Sequence, residues 1–228
     1  MPSWKELKVR QFSIEERIGT PQRGEGGLDS PYHHPFYRGT LELQEKGRRP
    51  QPVRVTAMEV RTAYSAKKGK KLLEKGAEAG VKFPEVIFHK QGNRWFQIWP
   101  QFESELSQKK RQVRELTWEQ LKEHVDQMTR IANAGYLPQD SIFVYFEDPR
   151  QGFHPLNFEM VYEETRQKRV ERLVRNIRLH FNDWSIHNPR TGPIGEQQTV
   201  KALLDLAEQT ANEKLKASIR KQRKSASY

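Results

Sequence analysis

Between Gly135 and Glu159 the chain sets a helix end, two short strands and two polar triplets into one continuous stretch, and this succession constrains the fold more than any other part of the sequence. The run from Leu121 to Ala134 carries apolar residues at helical spacing, and Gly135 stops it. A loop with Asp140 follows. Ser141 to Phe146 then alternates as a strand, Pro149-Arg150-Gln151-Gly152 supplies a turn, and a second strand leads into Leu156-Asn157-Phe158-Glu159. The order is thus helix, loop, strand, turn and strand.

The preceding part of the chain reads as sheet plus one helix. Phe36 to Leu43 and Val53 to Val60 have strand character and are joined by a turn from Lys46 to Pro52. Tyr64 to Ala79 places Leu72, Leu73 and Ala77 on one side of a helix weakened by Gly69 and Gly76, with Gly80 to close it. Val86 to Lys90 and Arg94 to Trp99 form a hairpin around Gly92-Asn93, and Pro100 ends its second strand. Residues 1–35 read as an N-terminal extension and a loop, because Gly19 to Pro35 is rich in glycine and proline.

The second half is mainly helical. Thr117 and Gln120 have capping-box spacing ahead of Leu121, Val125, Met128 and Ala132. Glu164 to Phe181 carries an apolar stripe of Val170, Leu173, Val174, Ile177 and Phe181 on an otherwise basic helix. A connector, His187 to Gly195, leads to a last helix near Glu196 to Gln209. Residues 213–228 have little apolar content and read as a frayed basic tail. The expected division is therefore 1–35, a sheet-plus-helix region 36–102, a helical region 103–212 and the tail.

In element order, residues 36 to 184 resemble a very small, divergent bacterial protein-kinase-like domain of the kind found among secreted effector kinases. The resemblance rests on the strand, strand, helix, strand, strand order, and on two stretches, Met128 to Phe146 and Phe153 to Tyr162. A kinase runs a long helix into glycine, two apolar residues and His-Arg-Asp, then through a hairpin to Asp-Phe-Gly. Here the triplets read Pro138-Gln139-Asp140 and Asn157-Phe158-Glu159. The resemblance implies a small two-lobed fold, with an antiparallel sheet and one helix in the N-lobe and a mainly helical C-lobe. It implies ATP and Mg²⁺ as ligands, with Asp140 as the catalytic carboxylate and with Met58, Pro100, Phe102, Asn157 and Phe158 bordering the nucleotide.

The sequence departs from that family at several points. The phosphate-binding lysine of the family falls on Met58, which cannot pair with phosphate, and the loop Asn that holds a metal is missing. Arg54, Arg61 or the lysines between 67 and 71 are the cations left to stand in, with Glu74 as their partner carboxylate. Asn157 replaces the metal-binding Asp; an amide oxygen coordinates Mg²⁺ without the charge a hard cation favours, and Glu159 offers a carboxylate nearby. Gly19, Gly24, Gly26 and Gly27 lack the spacing of a phosphate loop. Each residue also has a plain structural role open to it: Pro-Gln-Asp-Ser is ordinary turn composition, and Asn157 suits a strand end. A degenerate or weakly active phosphotransferase that acts on or binds another protein is the expectation, and a pseudokinase serves it equally well.

Composition narrows the remaining classes. The 228 residues contain no cysteine, which excludes thiol catalysis, disulfides and thiolate metal sites, and the seven histidines show no zinc-ligand spacing. No apolar run approaches the roughly 20 residues that span a bilayer, and no cleavable signal peptide is visible, so a soluble cytoplasmic or secreted effector is expected. A net charge of +11 favours acidic partners. Arg166, Arg169, Arg172, Arg175 and Arg178 on one helix are the candidate contacts for an acidic protein. The competing class is a nucleic-acid-binding α+β protein that uses this helix and the tail, with Trp95, Phe96 and Trp99 as candidate stacking groups.

Overall fold

The computed structural model describes residues 4–18, 35–101, 116–138, 143–145, 153–155, 162–180, 184 and 196–225. The protein is α+β and divides into two compact units, Met1–Lys70 with Phe83–Gln108, and Lys71–Lys82 with Lys109–Tyr228. The first holds a curled antiparallel sheet of β1 (Lys8–Ile18), β2 (Phe36–Gln44), β3 (Gln51–Val60), β4 (Ile87–Gln91) and β5 (Arg94–Pro100), in the order β1-β2-β3-β5-β4. Helix α1 (Ala63–Glu78) follows β3 directly. The second holds α2 (Trp118–Asn133), a short hairpin β6 (Phe143–Tyr145) and β7 (Phe153–Pro155), then α3 (Arg166–His180), α4 (Glu196–Thr210) and α5 (Glu213–Ser225).

Alternation along the strands builds the core of the first unit. Phe12, Leu41, Leu43, Val55, Ala57, Phe96 and Ile98 share one face and are buried together with Trp4. The two edge strands approach each other across this core: the Phe12 ring meets His89 edge-on, and the Gln91 side-chain amide donates to the Phe12 carbonyl at 3.1 Å. Such an approach blunts both edges against pairing with another chain. Pro100 fits its place because the N–H of Gln101 bonds the Arg54 carbonyl of β3, so the missing N–H of Pro100 faces the β4 side, beyond the last β4 partner at Ile98.

On the opposite face, register aligns Phe36, Met58, Gln97 and Phe88 in a row across β2, β3, β5 and β4. Helix α1 approaches this face closely. A Cβ added at Gly69 would lie 2.3 Å from the Phe88 ring, so this glycine permits contact and does more than weaken the helix. The Lys70 ammonium lies 5.5 Å from the Trp95 ring centre on the same face.

Two expectations are overturned. Residues 8 to 18 form a full strand within what read as an extension and loop, and its alternation is broken by register shifts between Val9 and Gln11 and between Ile14 and Glu16. The basic tail is also no frayed end. Residues 213 to 225 form α5, which buries Leu215 and Ile219 against its neighbours. Two of its cations are paired with α4, Arg223 with Asp205 and Glu208 and Arg220 with Glu208. The side chain of Asn133 clamps the α4–α5 turn, donating to the Thr210 carbonyl and accepting from the Asn212 N–H.

The packing of α5 has a direct check. Ile219→Ala should lower stability by about 2 kcal/mol or more, as loss of a buried branched side chain does, in urea unfolding followed by circular dichroism. A change within about 0.5 kcal/mol would mean that the helix is not packed.

Candidate functional site: the base of the segment between α2 and α3

The segment between α2 and α3 carries both polar triplets, and its two ends are drawn together. Helix α2 begins with a complete capping box at Thr117 and Gln120 and ends as the sequence requires. Gly135 takes φ +100°, its N–H bonds the Ala132 carbonyl, and the Tyr136 N–H reaches back to Ile131 at 3.1 Å. This is a Schellman motif, with glycine at the one position where a side chain would be strained.

Immediately beyond it, Tyr136 forms an antiparallel bridge with Glu163. The Leu137 N–H donates to the Tyr162 carbonyl at 2.8 Å, and the Glu164 N–H donates to the Gly135 carbonyl at 3.2 Å. From α3, the buried Asn176 amide donates to the Pro138 carbonyl at 3.0 Å, fixing the backbone two residues before Asp140. Arg169 donates to the Ala132 carbonyl at the α2 C-terminus, where a cation also complements the helix dipole.

Helix α1 supplies the charge at this base. Lys71 and Lys75, one turn apart, both reach Glu163 Oε1, at 2.8 and 2.9 Å. Their hydrogen bonds hold the Glu163 carboxyl down from the ordinary 4.5 to about 2. The fully buried Tyr136 shifts the other way: burial first, then the Glu163 and Glu74 carboxylates, push its phenol up to about 12. Tyr136 is therefore a neutral packing group at neutral pH, with the Lys75 ammonium 5.7 Å from its ring centre.

Within the segment, β6 and β7 pair Phe143 with Pro155 and Tyr145 with Phe153. Asp140, Asn157, Phe158, Glu159 and Phe102 lie outside the described residues. Met58 and Pro100 lie on neighbouring strands of the first unit, but their register partners, Gln97 and Val55, put them on opposite faces of the sheet. Met58 is 4% exposed, within the row of Phe36, Gln97 and Phe88. Of the five arginines on α3, Arg166 and Arg175 are exposed, Arg172 and Arg178 are partly exposed, and Arg169 is committed to α2. Among the described residues no cluster of His, Asp and Glu is arranged to hold a metal ion.

Of the residues that fix this base, Tyr136, Glu163, Asn176 and Lys75 were not singled out by their sequence context, and Lys71 stood out only within the lysine cluster from 67 to 71, as a candidate for phosphate. The i,i+4 spacing of the two lysines does put them on one helix face, but their shared carboxylate lies 88 residues from Lys75.

The Glu163 ion pairs give a pH-dependent expectation. Because the folded pKa is depressed, their contribution is fully present above about pH 4.5 and is lost as the pH falls toward about 2. All three side chains are about half exposed, so screening limits each pair to no more than about 1 kcal/mol. Glu163→Gln should therefore melt slightly below the parent protein at pH 7 and converge with it as the pH falls through that window; a constant difference across the window would contradict the assignment. Compared with known proteins, the chain matches no family model, and no curated protein matches its sequence.

Proposed function

We propose that this chain is a minimal kinase-like protein whose phosphotransfer is weak or absent and which acts on, or docks to, another protein. The observation that supports the reading best is element order. Strands β1 and β2 are joined by the glycine-rich residues 19 to 34, the third strand runs directly into a helix, and a two-stranded hairpin completes the sheet. A protein kinase carries its phosphate-binding lysine on the third strand and the partner glutamate on the helix after it. In the second unit, a helix ending at Gly135 leads to Asp140, then to a hairpin, then to Asn157-Phe158-Glu159, the order of the kinase catalytic segment.

Degeneracy follows from the chemistry of the substituted positions. Met58 is an uncharged packing residue at the lysine position. On α1, Lys71 and Lys75 are engaged by Glu163, so these cations already have a carboxylate to satisfy. Nucleotide binding would then rely on groups other than these, with Asp140 as the acid–base group and Asn157 with Glu159 as the metal-facing oxygens.

Two measurements on the same protein test this. ATP with Mg²⁺ should raise the melting temperature, since a ligand that binds only the folded state stabilises it. Transfer of labelled γ-phosphate should be slow, because loss of each charged transition-state contact costs about 10²-fold or more. Robust transfer that disappears in Asp140→Ala would overturn the inactive reading and make Asp140 the catalyst. Absence of any shift with ATP or other nucleotides would contradict the kinase-like reading as a whole.

A further inference from the structure

Some cations of α3 and α5 are committed to carboxylates or to a backbone carbonyl, and others are not. On α5, Arg220 and Arg223 are held by carboxylates of α4, and on α3 Arg169 is spent on the end of α2. By contrast, Arg172, Arg175 and Arg178 have no carboxylate within ion-pair distance among the described residues. They lie away from the buried stripe of Val170, Leu173, Val174 and Ile177. Successive members are three residues apart, a rise of about 4.5 Å and a turn of about 60° around the helix. Lys168 extends the array by one turn, although its ammonium also meets Glu164 at 3.1 Å. Glu171, which lies between Arg175 and Arg178 around the helix, is engaged by the Gln167 amide.

We propose that the outer face of α3, centred on Arg172, Arg175 and Arg178, docks the phosphate backbone of a nucleic-acid duplex. Lys168 to Arg178 spans about 15 Å of helix, enough for several of its cations to face phosphates along a duplex. Guanidinium groups suit this ligand because their planar donors pair two phosphate oxygens at once. The helix sequence, RQKRVERLVRNIRLH, contains no Phe, Tyr or Trp to stack an unpaired base, which favours a duplex over a single strand. The surface stands on its own geometry and does not depend on nucleotide binding elsewhere in the chain.

The test is fluorescence anisotropy with labelled DNA and RNA duplexes of about 20 base pairs, titrated across salt. Arg172→Glu, Arg175→Glu and Arg178→Glu combined should weaken duplex binding at least tenfold, and should reduce the steepness of log K against log salt by about 2 to 3, at about 0.9 per lost phosphate contact. The corresponding triple Gln variant should show the same direction with a smaller loss, and it covers the case in which charge reversal disturbs folding. Lys46→Glu, Arg48→Glu and Arg49→Glu combined, at the exposed β2–β3 turn, change the net charge equally and should weaken binding by less than threefold. The DNA and RNA arms tell which duplex is preferred. Equal losses in the α3 and turn variants would overturn the proposal in favour of undirected attraction by net charge. Poly-glutamate that binds as tightly as duplex, with the same dependence on the three arginines, would overturn it in favour of an acidic protein partner.

Discussion

The bridge between Tyr136 and Glu163 ties the end of α2 to the approach to α3, and the order of the second unit depends on it. Closing a loop of this length carries an entropic penalty that grows only slowly with length, so a few well-placed contacts at the base can hold it. Here they come from three helices at once. The Schellman turn aims Tyr136 into the interior, Asn176 fixes the Pro138 carbonyl, and Lys71 with Lys75 grip Glu163 from the remaining side. Burial of the whole Tyr136 ring supplies the apolar contribution, and the exposed ion pairs add direction more than strength. These contacts fix the base of the segment that carries Asp140 and Asn157 in the sequence.

In the first unit, Met58 stands at the position that the proposed kinase-like reading gives to the phosphate-binding lysine. Met58 sits in a cross-strand row with Phe36, Gln97 and Phe88, beneath the face that α1 approaches through Gly69. A lysine there would have to bury its ammonium or find a carboxylate, and desolvation of an unpaired charge is costly. Methionine fills the same space with no such demand. Met58 therefore serves packing and has no charge to offer a phosphate.

Much of this architecture is legible in the residues, and the parts that are not have physical reasons. Gly92-Asn93 marks the β4–β5 hairpin, Thr117 with Gln120 marks the start of α2, Gly135 marks its end, and Val170, Leu173, Val174 and Ile177 mark the buried side of α3. All are local signals. Strand β1 escapes them because two bulges shift the phase of its alternation, so Phe12 and Ile14 no longer read as part of one pattern with Val9. Helix α5 escapes because its cations look like a solvated tail, and the carboxylates that neutralise them sit on the preceding helix. Of the candidate site, the loop and hairpin order could be read, but the grip of Lys71 and Lys75 on Glu163 is long-range and leaves no local trace.

The proposed kinase-like reading requires Asp140 and Asn157 to lie close together in the folded protein. The chain lacks cysteine, so nitroxide labels on Asp140→Cys and Asn157→Cys attach at those two positions alone. Dipolar broadening of the electron paramagnetic resonance spectrum then reports their separation in the folded protein. The account predicts a separation of about 12 Å or less, the span over which two groups can serve one metal-bound phosphate once label reach is allowed for. A spectrum without broadening, from a protein that still melts cooperatively, would place the triplets apart and contradict the kinase-like reading of this segment.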